Sequence, residues 1–312
     1  MNIIFKNNNI KTTAHKLIIR KTRGFSGITH VLIAIMLLFL LLYLDIPFSI
    51  VYKSLFMNNW KFVIVAFFTI AGAALLPDLD SPRSTARYQL KLLGTLLKTA
   101  LTSLSYLTTS IFRMKNDWVP KTQHRCLFHT PFIGILIGFL FWIFIPNSQV
   151  SYLYIWRSAV ETSDYSSMLV DNISIHICVF LAFCCIYLGV NILAYRILRI
   201  FPRTVKRFLP FATTLLCFWL LLNFSFAEIK YIGVSISLGY LFHIFGDLFT
   251  EGSVPIIWPI PVPWKKQWWW RPRGIIFGRI KTGGMINFIL NYVLIAVNLF
   301  LGYIIFIKGF IN

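Results

Sequence analysis

The run HVLIAIMLLFLLLYLDI, residues 30–46, decides the class of fold, because it is apolar except near its two ends. About 20 such residues in a helix cross the hydrocarbon core of a bilayer. The run follows a polar, basic head, residues 1–29, and no small-residue cleavage site comes after it. We therefore expect a retained first membrane span rather than a removed signal peptide.

Further apolar runs repeat this pattern along the chain. All seven runs, the first included, begin near His30, Lys61, Leu127, Ile173, Phe208, Tyr231 and Met285. The chain is 57% hydrophobic and 13% charged, whereas soluble domains are about 25% charged. The sequence therefore predicts an all-α fold, a polytopic membrane helix bundle with about seven spans.

Composition divides the chain into four parts. They are a basic cytoplasmic head (1–29), a membrane bundle (30–259), a basic Trp-rich cytoplasmic loop (260–284) and a last span with its tail (285–312). Tryptophans interleaved with Lys and Arg favour a position at the membrane interface, and the prolines of the loop disfavour a helix. We expect the loop to anchor the chain at the interface, and a lid over neighbouring polar residues is the alternative.

The positive charge is concentrated in a few segments. The net charge is +20, and 25 of the 30 Lys and Arg lie in residues 1–29, 77–126, 196–208 and 251–284. Short cytoplasmic loops of membrane proteins are rich in Lys and Arg, so we predict a cytoplasmic N-terminus and a C-terminus outside. Such loops attract anionic head groups, which makes membrane lipids expected partners. No nucleic-acid-binding motif accompanies the charge, and no nucleic-acid partner is expected.

The segment 92–112 is long enough to span the membrane, but it contains Lys98 and several Thr and Ser. If it crossed, the basic loops 196–208 and 251–284 would face outward, against the charge pattern. We therefore predict an interfacial amphipathic helix or a re-entrant segment on the cytoplasmic side.

With this topology, seven histidines and aspartates fall at the cytoplasmic ends of the predicted spans. They are His30, Asp78, Asp80, His124, His129, His243 and Asp247. Ionisable groups within apolar spans are costly unless they are paired or functional. We therefore expect these residues to form one site.

The chemistry of this set is that of a metal site. Imidazole and carboxylate ligands suit zinc, iron or manganese. In H-x-x-x-D, His243 and Asp247 share a helix face one turn apart. In PDLD, Asp78 and Asp80 are expected on an extended segment, where alternate side chains point to the same side. We expect one or two divalent ions, zinc first, and two ions would share an aspartate.

Three motifs in a fixed order carry a family resemblance. PDLD, then H-R-x-x-x-H-T, then H-x-x-x-D-x-x-T followed by V-P-I-I-W-P lie within roughly residues 29–259. This order resembles the YdjM family of bacterial inner-membrane metal-dependent hydrolases, which are distantly similar to zinc-dependent phospholipase C and the S1/P1 nucleases. The resemblance implies a membrane-embedded metal hydrolase of the bacterial inner membrane that acts on phosphoesters. It places the family's polar set on His30, Asp78, Asp80, His124, Arg125, His129, His243, Asp247 and Thr250.

Each part of this set has an expected role. The seven histidines and aspartates are the expected metal ligands, and the planar guanidinium of Arg125 is suited to pair with a phosphate. Metal-activated water is the expected nucleophile, with Asp80 as its proton acceptor and Glu251 as the second candidate. The expected substrate is a small-molecule or lipid-borne phosphoester.

Two other functional classes stay open. A transporter distributes its polar residues through the membrane and places its binding site near the midplane, whereas here the polar residues cluster at one edge. A non-catalytic metal-binding regulator or scaffold would keep the same ligands for stability alone.

Overall fold

The fold comes from a computed structural model, which describes residues 27–44, 50–81, 84–111, 127–146, 148–154, 173–249, 254 and 285–311. Its helices are α1 (Gly27–Tyr43), α2 (Ile50–Asn58), α3 (Trp60–Ala73), α4 (Thr85–Ile111), α5 (Pro131–Phe144), α6 (Ile173–Ile197), α7 (Arg203–Leu222), α8 (Phe226–Leu248) and α9 (Met285–Ile311). Short 3-10 helices lie at Pro77–Asp80, Leu127–His129 and Leu198–Ile200. No β-strand occurs among the described residues. The predicted all-α fold is therefore confirmed.

The apolar helices correspond to the predicted spans. In the described part of the chain, five helices are long and apolar enough to cross a membrane: Trp60–Asp80, Ile173–Tyr195, Arg203–Leu222, Phe226–Leu248 and Asn287–Ile305. The helices α1 and α5 are also apolar but shorter, with 17 and 14 residues. The chain is thus a membrane helix bundle, and the number of crossings and the orientation of the termini stay predictions.

The helix α8 lies at the centre of the bundle. It packs against α5, α3, α1 and α6, whereas α9 packs on the outside against α1 and α7 packs against α6. A capping box starts α8, in which the Ser225 hydroxyl accepts a hydrogen bond from the backbone N–H of Glu228 and the Glu228 carboxylate accepts one from the backbone N–H of Ser225. This box satisfies backbone donors that the first turn leaves unpaired, so α8 begins at Phe226, earlier than the predicted start near Tyr231.

A close crossing fixes α3 against α6. A Cβ atom on Gly72 would lie 1.7 Å from the carbonyl oxygen of Cys185, and one on Gly189 would lie 2.0 Å from that of Phe68. The two backbones therefore touch directly, as membrane helices do where small residues line their interface. The crossing sets the position of α3, whose C-terminal end leads into the PDLD segment.

The PDLD segment is a 3-10 helix, Pro77–Asp80, and the predicted extended conformation is wrong. Pro77 occupies the first helical position, where its fixed φ and missing N–H are tolerated. In a 3-10 helix successive residues are rotated by about 120°. The side chains of Asp78 and Asp80 therefore point in different directions instead of to the same side.

The segment 92–112 falls almost entirely within α4, which already begins at Thr85. This helix is not among the described helices that are apolar enough to span. It packs against the PDLD turn and α6, and its backbone is interrupted at Lys91, where φ is 49° and ψ is −118°. An interfacial or re-entrant position for α4 stays a prediction.

Two predicted parts of the chain are largely outside the described residues. They are the basic head, of which only residues 27–29 are described, and the Trp-rich loop 260–284.

Candidate metal centre

Four separate segments bring histidine and aspartate side chains together at one edge of the bundle. His30 lies near the start of α1, and Asp78 lies in the 3-10 helix that follows α3. His129 ends the 3-10 helix that precedes α5, and His243 and Asp247 lie in the last turns of α8. The edge is thus built where α1 and α5 begin and where α3 and α8 end.

The two carboxylates lie between the histidines. Asp247 Oδ1 is 3.5 Å from His30 Nε2, and Asp247 Oδ2 is 3.6 Å from His243 Nε2 and 3.7 Å from His129 Nε2. Asp78 Oδ1 is 3.5 Å from His129 Nε2 and 3.9 Å from His243 Nε2. Two groups of three donor atoms result, each within 4.8 Å: His30, His243 and Asp247, and Asp78, His129 and His243. His243 belongs to both groups.

The cluster is deeply buried. The three histidines and Asp247 are at most 1% exposed, whereas the Asp78 side chain is 22% exposed. Burying this many ionisable groups in an apolar bundle is costly unless they are paired, hydrogen-bonded or bound to a metal. Among these five residues, Asp78 provides the contact between the cluster and solvent.

A backbone contact sets the orientation of His243. Its Nδ1 lies 2.7 Å from the carbonyl oxygen of Ala74. A carbonyl only accepts, so Nδ1 carries a proton and donates, and in the neutral ring the lone pair is on Nε2. Nε2 faces both carboxylates. This arrangement, with one ring nitrogen fixed by a carbonyl, is typical of metal-binding histidines.

Tyr240 supports the segment that carries His129. Its hydroxyl donates a hydrogen bond to the carbonyl oxygen of Phe128, the residue just before His129. Both Tyr240 and His129 are buried. Tyr240 is not among the residues predicted from the sequence. Its hydroxyl group inside an apolar helix, one turn before His243, is the feature of the sequence that indicates it.

The rings of the three histidines meet in two different ways. His30 stacks on His243 with ring centroids 3.9 Å apart and planes 20° apart. His129 meets His243 edge to face, at 5.4 Å and 68°. Gly246 leaves room for the stacked ring, since a Cβ atom there would lie 3.2 Å from His30 Nδ1.

The structure thus brings five of the predicted ligands together. Asp80 is also buried, but it belongs to neither group of donor atoms found among the described residues. The 3-10 conformation of PDLD accounts for its separation from Asp78. The remaining predicted residues, which lie outside the described part of the chain, are His124, Arg125, Thr250 and Glu251.

Comparison with known proteins identifies a family for this chain. The sequence model of the YdjM inner membrane protein family matches residues 25–188, more than half of the chain. The matched range contains His30, Asp78 and His129, and it ends before His243 and Asp247. No curated protein and no solved structure matches the chain.

Proposed function

The chain belongs to the YdjM inner membrane protein family, and we propose that it is a metal-dependent hydrolase that acts on a phosphoester or lipid-borne substrate at the cytoplasmic edge of the membrane. One observation carries this proposal. Three imidazoles and two carboxylates from four separate segments meet in a buried cluster at one end of the bundle. Convergence of this kind supports a functional site, because ionisable groups in a membrane bundle are otherwise costly.

The residues of the cluster suit a divalent cation. Nitrogen and oxygen donors of His and Asp are the ligands of catalytic zinc, and Nε2 of His243 faces both carboxylates. A divalent ion held by this cluster would supply a Lewis acid that activates water and polarises a phosphoryl oxygen.

The residues of the chain itself divide the remaining tasks. Asp78 is the most exposed member of the cluster, so water and substrate approach from its side. Asp80 belongs to neither group of donor atoms, and we assign it the role of proton acceptor rather than ligand. Arg125, four residues before His129, would pair with the substrate phosphate.

The position of the cluster favours a substrate that is carried by the membrane. The cluster lies at the ends of apolar helices rather than at their middle. The α4 helix packs against the 3-10 helix that carries Asp78. It is α4 that is predicted to lie at the membrane interface. A phosphate in the head-group region would therefore reach the Asp78 side of the cluster without entering the hydrocarbon core.

Hydrolysis assays on detergent-purified protein test this function. The substrates are bis-p-nitrophenyl phosphate and phospholipids in mixed micelles, with zinc, manganese or a chelator added. We expect turnover that requires metal, is lost in Asp80→Asn with the metal content unchanged, and persists in His176→Ala. His176 bonds to Tyr152 and is not a member of the cluster, so this variant removes an imidazole elsewhere. A well-folded, metal-loaded protein without turnover on any of these substrates would contradict the proposed hydrolase.

A second function, a non-catalytic metal-binding regulator, is favoured by one specific feature. Four of the five cluster residues are at most 1% exposed, and closed sites are typical of structural zinc. In that case Asp80→Asn would change nothing, whereas removal of the metal would lower the melting temperature.

A further inference from the structure

We propose that the cluster holds a single divalent ion, with Asp78, His129, His243 and Asp247 as its ligands, and that His30 is a positioning residue rather than a ligand. This inference rests on the proposed metal-dependent function and specifies which of the five side chains touch the ion. Ring orientation and hydrogen bonding carry it.

The hydrogen bond of His243 limits the number of ions. Both groups of three donor atoms contain His243. Its Nδ1 is committed to the carbonyl oxygen of Ala74 at 2.7 Å, so the ring offers one lone pair, on Nε2. One lone pair binds one ion. The two groups therefore cannot act at the same time as two complete three-ligand sites.

The stacking of two rings decides against His30 as a ligand. The lone pair of an imidazole nitrogen lies in the plane of its ring. The planes of His30 and His243 are only 20° apart and their centroids are 3.9 Å apart. Two planes that are nearly parallel and this far apart intersect only at a long distance from both rings. That distance is much greater than a zinc–nitrogen bond of about 2.1 Å. An ion in the plane of His243 is therefore well out of the plane of His30.

The edge-to-face pair has the opposite geometry. The planes of His129 and His243 are 68° apart, so they cross close to both rings and a single ion can lie in both. The oxygens Asp78 Oδ1 and Asp247 Oδ2 are each 3.5 to 3.9 Å from both Nε2 atoms. Neighbouring donors on one ion with bonds of about 2.1 Å are about 3.0 to 3.4 Å apart. Four of the six pairs among these donors therefore already lie close to this spacing, and a further position on the ion is left for water.

His30 then supports two of the ligands. Its Nε2 lies 3.5 Å from Asp247 Oδ1, the oxygen on the other side of the carboxylate from Oδ2, and its ring covers one face of His243. Contacts of this kind fix the orientation of ligands, and their loss typically weakens metal binding by about 10–100-fold. His30 is thus expected to affect affinity without changing the number of ligands.

Metal titration of the purified full-length protein tests this inference. The probes are Zn²⁺, followed by calorimetry and elemental analysis, and Co²⁺, whose absorption spectrum reports the coordination number. The variants are His129→Ala, His30→Ala and His30→Phe, the last of which keeps a flat ring over His243 without a nitrogen donor. His176→Ala is the folding control, and size exclusion with thermal melting verifies each variant.

We expect one ion per chain in the wild type and in both His30 variants, with the Co²⁺ spectrum of both variants unchanged from that of the wild type. Affinity should fall by about 10–100-fold in His30→Ala and less in His30→Phe, and His129→Ala should lose the ion. Two ions per wild-type chain, or a His30 variant that loses its ion or changes its coordination number, would overturn the inference and leave the hydrolase proposal standing. No ion in the wild type would instead remove the metal on which both proposals depend.

Discussion

Asp247 contacts all three histidines of the cluster, at 3.5 to 3.7 Å, so its charge is expected to matter most for metal binding. Asp247→Asn keeps the size of the side chain but removes the charge and one acceptor oxygen. We expect metal affinity to fall by more than the about 10–100-fold seen when an outer-shell partner is lost. Competitive metal titration measures this change.

Glu228→Gln is the matched control for Asp247→Asn. It neutralises a carboxylate at the other end of α8, where Glu228 belongs to the capping box. Gln can also form a capping box, so this variant should cost less than about 1 kcal/mol of stability and leave metal affinity unchanged. Equal metal affinity in both variants would exclude Asp247 as a ligand.

Tyr240 offers a test of the support under His129. Tyr240→Phe removes the hydrogen bond to the Phe128 carbonyl, which should cost about 1 kcal/mol of stability and weaken metal binding by about 10-fold, as for other contacts that orient ligands. Melting curves with and without zinc measure both effects.

Tyr52→Phe is the control for Tyr240→Phe. The Tyr52 hydroxyl also bonds to α8, at Ser235 Oγ over 2.9 Å, but Tyr52 is not a member of the metal cluster. The Tyr52→Phe variant should lose about as much stability as Tyr240→Phe and should keep the metal affinity of the wild type. A Tyr240 variant that behaves like the Tyr52 variant in both measurements would show that Tyr240 does not position His129.

At the scale of residues, spacing in a regular helix was readable from the sequence, whereas local chain conformation was not. The i, i+4 spacing of His243 and Asp247 predicts a shared face, and their donor atoms are 3.6 Å apart. For Asp78 and Asp80, an extended segment predicts side chains on the same side, but the segment is a 3-10 helix. Pro77 at the start of the segment was the available signal.

The crossing of α3 and α6 is the contact between elements that a single methyl group should disrupt. Gly72→Ala would place a Cβ atom 1.7 Å from the Cys185 carbonyl oxygen, and a backbone atom cannot rotate away. Overpacking of this kind costs about 1–3 kcal/mol or more. We expect a lower melting temperature and a lower yield of folded protein in detergent.

Gly302→Ala is the control for this change in α9. A Cβ atom there would meet the Phe39 ring at 3.5 Å, an ordinary contact, so the variant should be close to wild type. If Gly72→Ala were equally harmless, α3 and α6 would not cross as closely as described.

Element types were predictable from apolar length, but element ends depended on local chemistry. The helix α8 begins at Phe226 because Ser225 and Glu228 form a capping box, a signal that is present in the sequence. The short helix α2 was not predicted. The helix has only nine residues, which do not form a long apolar run. Its residues Tyr52 and Phe56 are buried, and this packing against the bundle depends on contacts between distant parts of the chain.

At the scale of the whole molecule, the convergence of distant motifs followed from counting crossings. Basic loops assign one side to the start of α1, the end of α3, the start of α5 and the end of α8. These are the four places where the cluster residues lie. What counting could not provide is which side chains at this edge point toward each other, since that depends on helix rotation and on the 3-10 helices.

The same charge pattern predicts the orientation of the chain. Alkaline phosphatase fused after residue 312 should be active and a fluorescent protein fused there should be dark, because the C-terminus is predicted to lie outside. A fluorescent C-terminal fusion would mean that the number of crossings is even, for example because α4 spans the membrane.

The metal content of the detergent-purified protein tests the central claim most directly. It is measured by mass spectrometry for the wild type, His243→Ala, Asp78→Ala and the control His176→Ala, all with matched folding. The account predicts near-stoichiometric zinc, manganese or iron in the wild type and the control, and its loss in the other two variants, which alter separate segments of the cluster. A wild-type protein without bound metal even after reconstitution, or a metal content that neither His243→Ala nor Asp78→Ala lowers, would contradict it.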